Sequence, residues 1–227
     1  MKKAVILVSG GLDSCVTAAC AIKQGYEPLF LHINYNQLTQ ERELRAFNDI
    51  ADYYNVKERL VVDIEYLRKI GGSSLTDCSI KVEEGTEPKK SIKLPSTYVP
   101  FRNGNLISIA ASWAEAKGAG RIFIGAVDED SSGYPDCTQI FFEKFNELFK
   151  VGLSPNFKLQ IETPVINLLK SEIIKLGVKL NAPLHLTWSC YQNQDKACGV
   201  CESCYLRLKG FKNANLKDSI EYINNGD

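Results

Sequence analysis

Short apolar runs alternate along this chain with stretches whose apolar residues recur every three or four positions. Residues 4–8, Ala-Val-Ile-Leu-Val, form an unbroken apolar run that predicts a buried strand. Helical spacing follows over residues 13–24 and stops at Gly25. A second strand is predicted over 29–33. A second helix begins near Gln40, where Leu44, Phe47, Ala51 and Tyr54 share one face. Residues 59–64 read as a third strand. Residues 71–100 carry Gly-Gly-Ser-Ser and several prolines without periodicity, a length more typical of a lid or binding loop than of idle linker. The pattern then predicts a helix over 105–117 ending at Gly118, a strand over 121–125 and a helix over 141–149. A short strand over 158–162 and a helix over 169–176 closed by Gly177 complete it.

Strands alternating with helices imply an α/β fold with a doubly wound parallel sheet, which binds ligands beyond the carboxyl ends of its strands. The first such end reads Ser9-Gly10-Gly11-Leu12-Asp13-Ser14. Two glycines let the backbone approach a phosphate, and the free N–H groups of the first helical turn point at it. Asp13 beside phosphates calls for a bridging cation, for which Mg²⁺ is the natural choice. The string lacks the lysine of the G-x-x-x-x-G-K-[ST] nucleotide loop, which excludes that class.

Composition narrows the picture further. The chain has 227 residues, enough for one domain plus a small appendage, divided here into 1–182 (nucleotide-binding α/β) and 183–227 (C-terminal metal-binding segment). Its 27 basic and 27 acidic residues balance, which argues against a nucleic-acid surface. No apolar run reaches the roughly 18 residues of a membrane span, and the apolar run after Met1-Lys2-Lys3 is too short for a signal peptide. The chain therefore reads as cytoplasmic.

Of eight cysteines, Cys190, Cys198, Cys201 and Cys204 fall within 15 residues. Four thiolates with two-residue gaps suit a closed, structural Zn²⁺ site, and Gly199 eases the first turn. An iron–sulfur cluster and a redox thiol pair are the rivals. Cys15 and Cys20 lie in the first helical pattern and read as core.

Three further segments carry chemistry. Val99-Pro100-Phe101-Arg102-Asn103 precedes a helix, with Asn103 as its N-cap and Arg102 suited to a phosphate or carboxylate. Residues 125–137 hold four carboxylates, Asp128, Glu129, Asp130 and Asp136, with Tyr134 for stacking. Asp136 suits adjacent N–H donors of a guanine-like edge. Lys170 stands near a helix start, where the dipole disfavours a cation unless it meets phosphate oxygens. His32 and His185 read as hydrogen-bonded structural histidines.

The Ser9–Ser14 string at the end of a first strand resembles the PP-loop ATP pyrophosphatases, which cleave ATP between its α and β phosphates. Adding Val99-Pro100-Phe101-Arg102-Asn103, Ser132-Gly133-Tyr134-Pro135-Asp136-Cys137, Thr163-Pro164-Val165, Lys170-Ser171-Glu172-Ile173 and the overlapping cysteine spacing, the chain resembles the 7-cyano-7-deazaguanine synthase family of queuosine precursor synthesis. The resemblance runs from the first strand to about Arg207. It implies an ATP-dependent ligase that turns 7-carboxy-7-deazaguanine and ammonia into the nitrile through an adenylated carboxylate and an amide. It also implies one zinc per chain and a homodimer.

Carried onto this sequence, ATP would lie against Val8, Ser9, Gly10, Gly11, Leu12, Asp13, Ser14, Cys15 and Val16. Asp13, Arg102 and Lys170 would serve catalysis, and Arg102, Asp130, Ser132, Gly133, Tyr134 and Asp136 would meet the deazapurine. Two departures stand out. Tyr35-Asn36-Gln37 replaces a Tyr-Gly-Gln turn, with Asn tolerating positive φ, and Asp128-Glu129-Asp130-Ser131 replaces the usual residues before the Ser132–Cys137 string. A tRNA-modifying relative with the same loop and a zinc nucleic-acid-binding module remain the alternatives; neutral charge and the absence of a basic tract disfavour both.

Overall fold

The computed structural model describes residues 2–85, 94–128 and 133–223. Five parallel strands form one sheet in the order β3-β2-β1-β4-β5: β1 (Lys3–Leu7), β2 (Glu27–Asn34), β3 (Arg59–Asp63), β4 (Arg121–Phe123) and β5 (Gln160–Glu162). Seven helices accompany them among the described residues: α1 (Leu12–Lys23), α2 (Gln40–Tyr53), α3 (Tyr66–Ile70), α4 (Arg102–Lys117), α5 (Gln139–Gly152), α6 (Lys170–Lys179) and α7 (Glu202–Ala214).

The apolar run of β1 serves both faces, because successive strand residues point to opposite sides. Val5 and Leu7 join Ile107 and Ala110 of α4 and Phe142 and Phe145 of α5 in one core. Ala4, Ile6 and Val8 join Cys15 and Ala18 of α1 and Phe47 and Ile50 of α2 in the other. Strand order reverses between β1 and β4, so the crevice of this doubly wound sheet opens where the Ser9–Ser14 loop and Gly125 leave their strands. That approach is tight. A Cβ on Gly125 would lie 2.8 Å from the backbone of Asp13 and Ser14.

Two local expectations are corrected. Helix α4 starts at Arg102, so Asn103 lies inside its first turn and is not the N-cap; Phe101 holds that position at φ 53°. The reason is long-range. Asn103 N–H donates to Asp136 Oδ2 at 2.8 Å, and its Nδ2 donates to the Asp136 carbonyl at 2.8 Å. Gly177 does not end α6, which runs on to Lys179. It is small because a Cβ there would meet Val16 at 2.9 Å and Leu184 at 3.0 Å, and Asn181 at φ 55° takes the left-handed turn instead.

The described parts of 71–100 pack against their surroundings. Leu38 N–H donates to Leu75 O (2.9 Å), Ser74 N–H to Ser96 O (2.8 Å), and Gly85 N–H to Val200 O (2.8 Å). The C-terminal segment is more than a cysteine loop. It contains the 13-residue α7, whose Phe211 and Ala214 share a core with Leu12 and Val16 of α1 and Ile173 and Ile174 of α6.

Candidate active site and metal centre

The phosphate-type loop is built by its own hydroxyls. Ser9 Oγ accepts the Gly11 N–H at 3.2 Å and donates to Ser14 Oγ at 3.2 Å, and Ser14 Oγ donates to the Gly11 carbonyl at 2.9 Å. Gly11 occupies the N-cap of α1 and brings no capping side chain, so the first-turn N–H groups face the crevice. Gly10 sits at φ +87°, and a Cβ on it would lie 2.5 Å from the Glu43 carbonyl. Its own carbonyl accepts Trp188 N–H at 2.8 Å. Helix α2 therefore braces one side of the loop and the C-terminal segment the other.

Asp13 and Lys170 both stand in the first turn of a helix, α1 and α6 respectively. Lys170 Nζ lies 2.7 Å from both Asp13 carboxylate oxygens. The cation at the start of α6 is thus offset by a carboxylate at the start of α1, and the pair borders an anion-attracting loop. Arg102 Nη1 donates to the Tyr35 hydroxyl at 3.1 Å, with its guanidinium 5.6 Å from the Tyr35 ring centre. Tyr35 is positioned by the departure noted above. Asn36 adopts φ 60°, and Gln37 Oε1 accepts Tyr35 N–H at 3.0 Å. Tyr134 shares a hydrogen bond of 2.6 Å with Thr97 Oγ1, and burial pushes its phenol up to about 12.

One cavity of about 300 Å³ is lined by Ser9, Asp13, Ser14, Arg102, Tyr134 and Lys170 together. Leu7, Leu31, Ile33, Leu106 and Ile124 give it an apolar floor. Other expected residues lie differently. The Asp136 carboxylate is buried and engaged by α4, and it does not border the cavity. Cys15 and Val16 are fully buried in the core, and burial pushes the Cys15 thiol up to about 12. Gly133 forms a turn at φ +77° away from the cavity wall. Asp130 and Ser132 fall outside the described residues.

Pattern reading missed Tyr35, Glu43, Trp188, Tyr191, Glu202 and Arg207, all of which border the cavity. Tyr191 and Glu202 adjoin cysteines that drew attention only as metal ligands. Glu43 carried no signal beyond its place on a helix. His32 is buried, with Nδ1 2.9 Å from the Val8 carbonyl and Nε2 3.0 Å from Asn34 Oδ1. Burial lowers its pKa, in keeping with a structural role.

Cys190, Cys198, Cys201 and Cys204 are all buried, with their sulfurs within 4.8 Å of one another. A Zn–S bond of about 2.3 Å in a tetrahedron implies sulfurs about 3.8 Å apart; Cys198 and Cys204 are separated by 3.9 Å. The loop supplies what thiolates need. Gln192, Asn193 and Cys198 direct N–H groups at Cys190 Sγ, and Cys201 N–H donates to Cys198 Sγ. Gly199 turns the chain at φ +76° between ligands, and Cys201 caps α7. The donor set and spacing fit a four-thiolate metal ion.

Comparison with known proteins shows the family. The family profile described as "Queuosine biosynthesis protein QueC" matches residues 3–215. A protein of Nautilia profundicola named 7-cyano-7-deazaguanine synthase is 52% identical over 223 residues, covering 98% of this chain and 99% of its own. A protein of the same name from Chloroherpeton thalassium is 53% identical over 220 residues, covering 97% and 96%. Among solved structures, a 4-thiouridine synthetase in an RNA complex with bound ATP aligns at TM-score 0.53 with 15% identity, covering 97% of this chain and 47% of its own. An NMN synthetase from Francisella tularensis aligns at TM-score 0.50 with 16% identity, covering 95% and 78%. These last two likenesses concern the fold alone.

Proposed function

The chain belongs to the QueC family of queuosine biosynthesis proteins, and we propose that it is an ATP-dependent ligase making 7-cyano-7-deazaguanine from 7-carboxy-7-deazaguanine and ammonia. The observation that carries the reading is the meeting of the Ser9–Ser14 loop, Lys170 and Arg102 in one cavity.

A carboxylate oxygen is a poor leaving group until it is bonded to phosphorus. The loop N–H groups and Lys170 receive the phosphates of ATP, and Arg102 holds the substrate carboxylate so that its oxygen faces the α-phosphorus. The chain's contribution is alignment and charge stabilisation. Mg²⁺, for which Asp13 is the candidate ligand, would neutralise the departing pyrophosphate. Ammonia displaces AMP to give the amide, and a second adenylation on the amide oxygen allows elimination to the nitrile. The same cavity serves both rounds, since each presents one oxygen to one phosphorus. The apolar floor suits a nucleobase, while Tyr134 and Tyr191 are candidates to stack on the deazapurine.

Residues 1–182 are assigned to nucleotide binding, and 183–227 to a segment held by a structural zinc ion at the four cysteines. A homodimer is the proposed assembly. A cytoplasmic setting, which keeps thiols reduced, suits the four-cysteine site. No described helix is long and apolar enough to cross a membrane.

The test is direct. Purified protein is incubated with 7-carboxy-7-deazaguanine labelled with ¹⁸O in its carboxylate, ammonium and Mg-ATP, and products are read by mass. Amide followed by nitrile, with label in AMP, is expected. Unlabelled AMP, or ADP as the nucleotide product, would overturn the adenylate route.

A further inference from the structure

Amidation needs more than an activated acyl group. At neutral pH ammonia is mostly ammonium, which has no lone pair to attack with, so the site must receive the cation and remove a proton. None of Ser9, Ser14, Arg102 or Lys170 is suited to that, and Asp13 is held by Lys170.

Glu43 is suited by position and by the way it is held. Its backbone carbonyl lies against Gly10 of the loop, 2.5 Å from where a Cβ would stand, so the residue is anchored beside the phosphate-binding turn. Glu43 borders the same cavity as Asp13 and Arg102. Thr39 Oγ1 donates to Oε1 at 2.7 Å and Gln37 Nε2 donates to Oε2 at 3.0 Å. Gln37 is itself fixed by Tyr35 N–H. Each carboxylate oxygen thus accepts one orienting bond and keeps a lone pair.

We propose that Glu43 is a catalytic residue, whose carboxylate receives ammonium beside the acyl adenylate and takes the proton that frees ammonia for attack. The step balances as follows. One N–H bond of ammonium breaks and its proton goes to a Glu43 oxygen. The freed nitrogen lone pair forms the C–N bond. The acyl C–O bond breaks, with its electron pair leaving on AMP, and the nitrogen loses a second proton to solvent to become the amide.

Burial raises the Glu43 carboxyl above the ordinary carboxylate value, against the opposing pull of the Thr39 and Gln37 bonds and the Arg102 charge, which makes it a better base. Arg102 and Tyr35 are the ionisable neighbours whose fields it shares. The two opposite charges at this wall match the two charged reactants, Arg102 the carboxylate and Glu43 the ammonium. This proposal rests on the ligase reading above.

The experiment separates the two. Acid-dependent exchange of pyrophosphate into ATP reports adenylation without an amine. Hydroxylamine, largely unprotonated at neutral pH, reports acyl transfer without the deprotonation. Glu43→Gln keeps the size of the side chain and can still bond Thr39 and Gln37. Its ammonium-dependent turnover should fall about 10²-fold or more. Its pyrophosphate exchange and its hydroxamate formation with hydroxylamine should stay within a few-fold of the parent chain. Glu43→Asp, a shorter carboxylate, should recover part of the ammonium rate.

Equal loss with both amines, at unchanged melting temperature, would mean that Glu43 acts through structure and would overturn the proposal. So would unaltered ammonium turnover in Glu43→Gln. Absence of acid-dependent exchange in the unsubstituted protein would instead bring down the ligase reading, and this proposal with it.

Discussion

Replacing Asp218 by Asn should destabilise the chain more than any surface substitution. Arg207 is 1% exposed, the largest fully buried side chain among the described residues. Its Nε and Nη2 grip the two Asp218 oxygens at 2.6 and 3.0 Å, and Nη1 donates to Thr187 Oγ1 at 2.8 Å and Ser189 Oγ at 3.1 Å. Tyr222 OH also donates to Asp218 Oδ2 at 2.7 Å. In Asp218→Asn a buried guanidinium loses the charge it is paired with, and an amide N–H₂ is turned toward N–H donors.

Breaking one partner of such a pair costs about 3–5 kcal/mol. For a chain of this length each kcal/mol moves Tm by about 2–4 °C, so a fall of about 6–20 °C is expected. Calorimetric or fluorescence-detected melting measures it. Two controls fix the interpretation. Lys144→Ala breaks an exposed i,i+3 pair (67% and 59% exposed) and should cost no more than about 0.5 kcal/mol. Arg207→Met combined with Asp218→Leu removes both charges and should restore much of the loss. A change below about 1 kcal/mol in Asp218→Asn would refute the claim that this ion pair locks the C-terminal segment down.

Other substitutions probe the loop, the cluster and the buried histidine. Gly125→Ala should raise KM for ATP at least several-fold, since its methyl group meets backbone at 2.8 Å and pushes the start of α1 away; unchanged ATP affinity by calorimetry would contradict this. Asp13→Asn should cut turnover by about 10²-fold or more while leaving Tm within a few degrees, and parent-level activity would dismiss its role beside the phosphates. Cys201→Ala, or prolonged chelation, should release close to one zinc per chain by elemental analysis and lower Tm sharply; iron with labile sulfide in the purified protein would reject zinc. His32 gives a signed pH dependence. The unfolded chain takes up a proton near pH 6.5 that the folded chain resists, so stability is full above that value and is lost as pH falls below it. His32→Gln should flatten that slope, and an identical acid limb in both proteins would refute the assignment.

What could be read from sequence was what short segments decide by themselves. The apolar run of β1, the glycine turn after it and the spacing of α2 each need fewer than about fifteen neighbouring residues to make sense. The four cysteines advertise a shared ion through spacing alone. The misreadings share a different cause. Asn103 looked like a cap because capping is local, yet its partner Asp136 lies 33 residues away. Gly177 looked like a stop because glycine ends helices, yet here it clears room for Val16 and Leu184. Helix α7 was hidden because its ligands and charges mask the apolar positions, Phe211 and Ala214, that dock it on α1 and α6. Glu43 could not be found because its place beside Gly10, far away in sequence, arises only in the fold.

The C-terminal segment behaves as one wall of the cavity more than as an appendage. Trp188 N–H holds the carbonyl of Gly10, so the Ser9–Ser14 loop is hydrogen-bonded to a residue two positions before Cys190, the first of the clustered cysteines. Tyr191 follows that cysteine, and Glu202 stands between the last two; both border the cavity. Arg207, one turn further along α7, fixes Thr187 and Ser189 on the same stretch. Three of the four cysteines thus sit within a residue or two of groups that border the cavity. An ion that closes the cluster shortens the conformational freedom of these groups all at once. Weakening the cluster should therefore loosen substrate binding at temperatures well below those that unfold the sheet, because the strands β1, β2 and β4 draw their stability from apolar cores that contain no cysteine ligand.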